Sequence, residues 1–205
     1  LQAVGDFELL TAIITTSSGL EVDISSSIVN ITIYEDTSST SVTGEILIQD
    51  AFALTNIGPI IGQEYLRLKV RTPSLDGEEN TIDFTENVLL INSVQNRTTV
   101  GNSVQVYILN FTTSELLKNQ RTKVSRSLKG SYSDIVKKML EDELDCKKDI
   151  YLEPTAGNKK IIAPNIRPFD VIRMASREAV SSLVQDAIVS NYIFYETLKG
   201  YHFRS

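Results

Sequence analysis

The sequence is poor in the residues that carry most metal and redox chemistry. Its 205 residues include one cysteine, Cys146, one histidine, His202, and no tryptophan. A single cysteine excludes an internal disulfide, and one cysteine with one histidine cannot complete a Cys/His zinc site. We therefore expect neither a bound metal nor another cofactor.

Long apolar runs are also missing. The longest spans only a few residues, far fewer than the roughly 20 that cross a bilayer as a helix. The first ten residues, LQAVGDFELL, do not show the charged and apolar blocks of a signal peptide. We expect a soluble protein made in a reducing cytosol, without a membrane partner.

Catalytic motifs are missing as well. The sequence contains no nucleophile elbow, Walker loop, dinucleotide fingerprint or HExxH motif. A Ser/His/Asp triad would have to use His202, which lies in an aromatic segment where a packed or surface histidine is the commoner case. The 26 acidic residues leave a carboxylate pair for glycoside hydrolysis open, but no pair stands out. We expect no enzyme and no catalytic residue.

Basic residues are scarce in the first half of the sequence. Residues 1–115 contain 15 acidic and 4 basic residues, a net charge of −11, whereas residues 116–205 contain 11 acidic and 16 basic residues, a net charge of +5. A difference of this size favours two regions with different surroundings. The simpler alternative is an acidic domain that happens to precede a mildly basic one.

The first half has the pattern of an all-β domain. Its strands are rich in Ile, Val, Thr and Tyr and alternate in places, as where Val29, Ile31 and Ile33 share one face. Asp76-Gly77 is a predicted hairpin turn. Short strands without an intervening helix predict an antiparallel barrel or sandwich, and closure would remove exposed edges. The predicted strands are residues 7–15, 20–24, 28–35, 41–49, 65–71, 81–95 and 103–112.

One segment, residues 53–64 (ALTNIGPIIGQE), interrupts the strands. Gly58-Pro59 breaks regular structure, and Ile60 and Ile61 form a small apolar knob before Gly62. The segment is either a loop that tucks both isoleucines into the end of the barrel or a contact loop. The residues alone favour the first.

The pattern changes near residue 115, where a second domain of residues 116–205 begins. A short helical turn is followed by a basic segment without interleaved aromatic residues, which argues against nucleic-acid binding and for a solvated or partner-facing role. The cations of this segment are Lys118, Arg121, Lys123, Arg126 and Lys129.

Two amphipathic helices and short strands make the second domain α+β. One helix begins at a capping box, Ser131 to Asp134, and runs to about residue 144; the other begins at Pro168. A terminal hairpin turns at Lys199-Gly200. The predicted buried stripes are Ile135, Val136, Met139 and Leu140 on the first helix, and Phe169, Ile172, Ala175 and Ala179 on the second.

An acidic cluster near the end of the first helix resembles a cation site only in composition. Consecutive helical side chains point around the axis instead of converging, and lysines flank the cluster. We interpret it as exposed surface. The cluster is Glu141, Asp142, Glu143 and Asp145.

Five segments of the sequence resemble segments of the baseplate hub proteins of contractile-tailed bacteriophages, and they occur in the same order as in those proteins. The hub family is related to the spike proteins of contractile secretion systems. The resemblance extends from about residue 40 to the end, and no single motif within it is catalytic. The segments are TGEILIQD, NIGPIIGQEYLRLKV, VQVYILNFTTSELLKNQRTKVSRSLKGSYSDIVKKML, NIRPFDVIRMASREAV and YIFYETLKGYHFRS.

This resemblance implies a tail-tube-type antiparallel β-barrel at residues 1–115, followed by a mixed α/β domain at 116–205. It implies a structural virion protein that forms a homotrimeric hub ring in the tail baseplate. The ring joins the tail tube, or its initiator proteins, to the central spike, and contact with the tape-measure protein is a further possibility. DNA would pass through the ring without specific binding.

In that family a second barrel follows the aromatic hairpin, so we expect these residues to be the front part of a longer chain whose last strand needs a neighbour. We also expect Ile60 and Ile61 to lie at a subunit or tube contact. Part of the acidic charge would face the channel, where carboxylates repel phosphate. The alternatives are a hub or spike component of a bacterial contractile secretion system, a non-phage β-barrel binding module, and, third, a lysozyme-like enzyme.

Overall fold

The computed structural model describes residues 7–51, 60–73, 80–101, 104–183 and 191–205. The chain forms two compact units. The first contains Leu1–Tyr34 and Thr43–Ser114, and the second contains Glu35–Val42 and Glu115–Ser205. The sequence places the boundary after residue 115, one residue from this division, but it does not assign residues 35–42 to the second unit.

The first unit is a mainly antiparallel sheet, as the strand pattern predicts. Its described strands pair in the order β2-β1-β5-β7-β8-β4-β3, with β6 added to β5, and a 3₁₀ turn at Ser25–Ser27 precedes β3. The strands are β1 Glu8–Thr15, β2 Glu21–Asp23, β3 Ile28–Tyr34, β4 Thr43–Asp50, β5 Tyr65–Arg71, β6 Thr81–Asp83, β7 Leu89–Val100 and β8 Val104–Thr113.

The strand pairs do not establish the predicted closed barrel. Within the described ranges they follow one open path, and no recorded pair joins β2 to β3 at its two ends. The Asp76-Gly77 turn lies outside the described residues. These pairs therefore support an antiparallel sheet and leave its closure a prediction.

Two strand predictions need correction in detail. The single strand predicted over residues 81–95 is β6 and β7, because the Asp83 carboxylate accepts a hydrogen bond from Thr85 N (2.9 Å) and turns the chain while Phe84 enters the core. In β3 the alternation is broken by a bulge between Ile28 and Asn30. Val29 is therefore 51% exposed instead of sharing the core face with Ile31.

The core of the first unit is mainly aliphatic, with three buried aromatic residues, Phe84, Tyr107 and Phe111. Ile46, Ile48, Leu66 and Leu68 are completely buried between the strands. Gly44 allows β3, β4 and β8 to approach closely, since a Cβ there would lie 2.2 Å from Phe111 Cζ. Each fully buried aliphatic side chain contributes about 1.5–3 kcal/mol to folding.

The second unit combines helices with two small sheets. The described strands pair as β10-β13-β12 and β11-β9. No helix in the described part of the chain is long and apolar enough to cross a membrane. The elements are α1 Ser114–Arg121, β9 Val124–Gly130, α2 Tyr132–Lys138 continued by a π-helical turn Met139–Glu143, β10 Ile150–Leu152, β11 Lys159–Ile166, α3 Pro168–Glu178, β12 Ile193–Thr197 and β13 Gly200–Arg204.

Helix starts and buried stripes in this unit are confirmed. Ser131 Oγ accepts from Asp134 N (3.1 Å), and the Asp134 carboxylate accepts from Ser131 N (3.2 Å), which completes the capping box. All eight predicted stripe residues are buried. At α3 the cap comes from a distant residue, because Asn119 Oδ1 accepts from Phe169 N at 2.8 Å.

The last strand does not lack a neighbour. β13 is the central strand of its sheet, antiparallel to β12 and parallel to β10. Its inner face places Tyr201 and Phe203, both fully buried, in the core of the second unit. The expectation that the last strand needs a neighbour from outside these residues is therefore wrong, because β13 pairs with a strand on each side.

Candidate functional site

A buried glutamate shapes the turn that carries the predicted contact residues. The Glu64 side chain is completely buried, and its carboxylate accepts hydrogen bonds from the backbone N–H groups of Ile61 (2.9 Å), Gly62 (2.9 Å) and Gln63 (3.1 Å). Gly62 has a φ of 85°, which an L side chain adopts only with strain. One carboxylate thus satisfies three amides and fixes the turn.

The two isoleucines of this turn face different surroundings. Ile60 packs against the core of its own unit and lines a small apolar cavity with Ile14 and Tyr107. Ile61 is 62% exposed. The pair is therefore split: Ile60 behaves as the packed-loop interpretation expects, and Ile61 is the residue available for a contact.

The five cations of the predicted basic segment are divided between two elements and the link that joins them. Lys118 and Arg121 lie on α1, Arg126 and Lys129 lie on β9, and Lys123 lies between the two elements. Lys118 pairs with Asp145 at 3.5 Å, and Arg126 pairs with Glu143. The other three side chains are exposed. Two of the five thus compensate the acidic cluster, and a partner-facing role is left to the other three.

The acidic cluster itself lies at the surface in ion pairs. Lys137 reaches Glu141 (3.8 Å), and Lys147 reaches Asp145 (2.5 Å). In the part of the chain that the structure describes, no group of three or more His, Cys, Asp or Glu residues could hold a metal ion.

A buried ion triad lies in the second unit, where the sequence shows only a run of lysines. Lys148 Nζ lies 2.6 Å from Glu115 Oε2 and 2.6 Å from Glu196 Oε1, and the three side chains are 9%, 4% and 1% exposed. Glu196 Oε2 also accepts from Val42 N at 2.8 Å. The triad thereby ties α1, β12 and the 35–42 segment together.

The charges of this triad depend on one another. Burial alone would lower the pKa of Lys148, but attraction to Glu196 and Glu115 outweighs burial and raises that pKa. The lysine is therefore held charged between two carboxylates, above the ring of Tyr201 at 5.6 Å. In the sequence, Lys148 directly follows Lys147, and no local signal separates the buried lysine from the exposed one.

The single cysteine and the single histidine both pack among other side chains. Burial raises the pKa of the Cys146 thiol to about 11, and Glu115 adds to this effect. His202 is stacked between Tyr151 and Tyr195, with centroid distances of 4.8 and 5.0 Å. The His202 ring contacts the Thr197 hydroxyl and the Arg204 guanidinium, not a serine–carboxylate pair.

Comparison with solved structures identifies the fold. The 43 kDa tail protein of prophage MuSo2 from Shewanella oneidensis aligns over 94% of this chain with a TM-score of 0.59 and 6% sequence identity. A tail protein from Neisseria meningitidis MC58 aligns over 94% of this chain with a TM-score of 0.52 and 11% identity. This is the fold of phage tail proteins.

At 6% and 11% identity, these two alignments show similarity of fold and nothing finer. The chain spans about half of each of the two proteins, 52% and 49% of their lengths. The sequence matches no protein-family model and no curated protein sequence. The resemblance noted in the sequence is thus supported by both units of the fold, whereas the roles of individual residues are not.

Proposed function

We propose that this chain is a structural subunit of a phage tail baseplate, forming a central hub ring that links the tail tube to the spike. The observation that carries the proposal is the alignment of 94% of the chain with two phage tail proteins. Because the alignment includes the β-sheet unit and the α+β unit together, it is more specific than a match to a single sheet.

The proposed ring is a homotrimer with a central channel for DNA ejection, located in the virion tail. Its contacts would be the tail tube or tube initiator, the spike and the tape-measure protein. The chain acts as a scaffold and not as an enzyme in this proposal. Closure of the first unit into a tube-type barrel belongs to the same proposal, and it requires strand pairing beyond the open path described above.

Labelling the chain in intact tails tests this function. A short epitope tag on the gene in its natural phage or prophage, followed by gold labelling and electron microscopy, is expected to mark the end of the tail tube at the baseplate. Deletion of the gene is expected to leave no complete tails. Labelling along the tail, or normal tails after deletion, would refute the proposal.

A lysozyme-like activity is addressed by a separate measurement. A turbidity assay on purified peptidoglycan is expected to show no clearing with the wild-type chain. Clearing that survives further purification would replace the scaffold role by an enzymatic one.

A further inference from the structure

The second unit contains a groove of about 380 Å³ where α3, β12 and residues 37–40 meet. Its floor is apolar: Phe169 and Phe194 are 3% and 8% exposed, and Ile193 is 44% exposed. One wall carries Arg173 and Arg177, one turn apart on α3. We call this feature the α3 groove.

The wall opposite α3 is held in place by carboxylates. Residues 37–40 belong to the 35–42 segment, which is fixed at one end by Glu35 accepting from Leu198 N and at the other by Glu196 accepting from Val42 N. The α3 groove is therefore formed before anything enters it. A preformed site avoids part of the entropy cost of ordering a loop on binding.

The arginine wall is poorly neutralised within the chain. Arg173 reaches its nearest acidic partner, Asp170, only at 4.0 Å, and both side chains are largely exposed, at 61% and 47%. Arg177 forms no ion pair with any described residue, and the neighbouring Glu178 instead accepts from Tyr132 Oη. Two guanidinium groups beside an apolar floor suit a surface that offers carboxylates and an apolar side chain.

We propose that the α3 groove receives the acidic first unit of a second copy of the chain. The first unit, residues 1–34 and 43–114, contains 12 acidic and 4 basic residues, a net charge of −8, whereas the second unit contains 14 acidic and 16 basic residues, a net charge of +2. The acidic unit of one copy is therefore complementary in charge to the two groove arginines of its neighbour. A ring closes through contacts between unlike surfaces of the same chain, and the basic groove and the acidic unit are such a pair. This inference rests on the proposed ring function.

Charge reversal at the groove provides the test. The variant Arg173→Glu/Arg177→Glu changes the net charge by −4, and Lys159→Glu/Lys160→Glu makes the same change at two exposed lysines of β11. Circular dichroism and the thermal midpoint of each variant, compared with the wild type, show whether the fold is retained. Sedimentation equilibrium over a range of protein and salt concentrations then measures self-association.

The wild type is expected to associate into a closed oligomer, and more weakly at high salt, because complementary charges are screened. The groove variant is expected to associate at least tenfold more weakly, and the β11 variant within twofold of the wild type. The neutral variant Arg173→Gln/Arg177→Gln is expected to lie between the groove variant and the wild type.

The possible failures are distinguishable. An oligomer that forms equally well in the groove variant overturns the inference and leaves the ring proposal standing. Equal loss in both charge variants attributes association to net charge and also overturns the inference. A wild-type chain that stays monomeric at all concentrations overturns the inference and the ring together.

Discussion

Removing the cation of the buried triad should strongly destabilise the second unit. The substitution Lys148→Met keeps most of the side-chain volume but removes the cation that Glu115 and Glu196 share, and these two side chains are only 4% and 1% exposed. Removing one member of a buried ion pair typically costs about 3–5 kcal/mol, because the remaining charge is desolvated and uncompensated. For a unit of about 100 residues, a loss of this size lowers the thermal midpoint by about 12–20 °C.

The adjacent residue supplies a matched control. Lys147 is 75% exposed and pairs with Asp145, which is 65% exposed. Lys147→Met therefore makes the same chemical change in solvent and is expected to leave the thermal midpoint of the second unit unchanged. Thermal and urea unfolding of both variants, followed by circular dichroism, measures the difference.

A second substitution separates charge imbalance from loss of packing. In Lys148→Met/Glu115→Gln one of the two stranded carboxylates is gone, so the double variant should be more stable than Lys148→Met alone. Additive destabilisation by the two substitutions would show that shape, not charge, controls this site. A Lys148→Met variant as stable as Lys147→Met would refute the buried-triad argument altogether.

The remaining predictions concern other sites. Ile61→Asp should leave the unfolding free energy unchanged, because Ile61 is 62% exposed, but should reduce incorporation into tails; full incorporation would exclude it as a contact. Gly44→Ala should destabilise the first unit by about 3 kcal/mol, because the added Cβ would clash with Phe111 and the Thr32 carbonyl. An unfolding free energy in urea equal to that of the wild type would contradict this packing. The pKa of His202 is lowered, first by burial and then by the charge of Arg204, although Glu35 opposes this. The unfolded histidine binds a proton below about pH 6.5. The unfolding free energy should therefore fall as the pH drops through that value, because the unfolded state takes up the proton more readily. His202→Phe should reduce that fall, and an unchanged pH slope would show that other groups cause it.

The elements whose signal is local were predictable from the sequence. The capping box at Ser131, the proline that begins α3 and the stripe from Phe169 to Ala179 all depend on neighbours within a few residues, and the structure contains each of them. The β9 strand was missed, because its four exposed positions mask the two buried ones, Val124 and Leu128. Its strand state follows from pairing with β11, whose partner residues lie 29 to 42 positions later in the chain.

The candidate sites were less predictable, because their contacts join distant parts of the chain. Glu196 accepts from Val42, 154 positions earlier, and Lys148 joins residues 33 and 48 positions away. A run such as Lys147-Lys148 gives no indication that one lysine is exposed and the other is buried. Composition predicted the charge of the two halves, but only three-dimensional contacts show which charges are compensated.

The compensated charges also bear on the proposed DNA channel, because they show which acidic residues account for the net charge of −11 in residues 1–115. Glu64 and Asp50 are completely buried, so neither can meet phosphate at the surface. On the outer face of β1, β2, β5 and β6, three further carboxylates are paired with the three cations of β5: Glu21 with Arg67, Asp83 with Lys69, and Glu8 with Arg71. Each of these three surface pairs is nearly neutral and contributes little field beyond the Debye length of about 8 Å. The net charge of −11 already subtracts these three cations, so in the proposed ring a channel lined by this unit takes its negative potential from the acidic residues outside the three pairs.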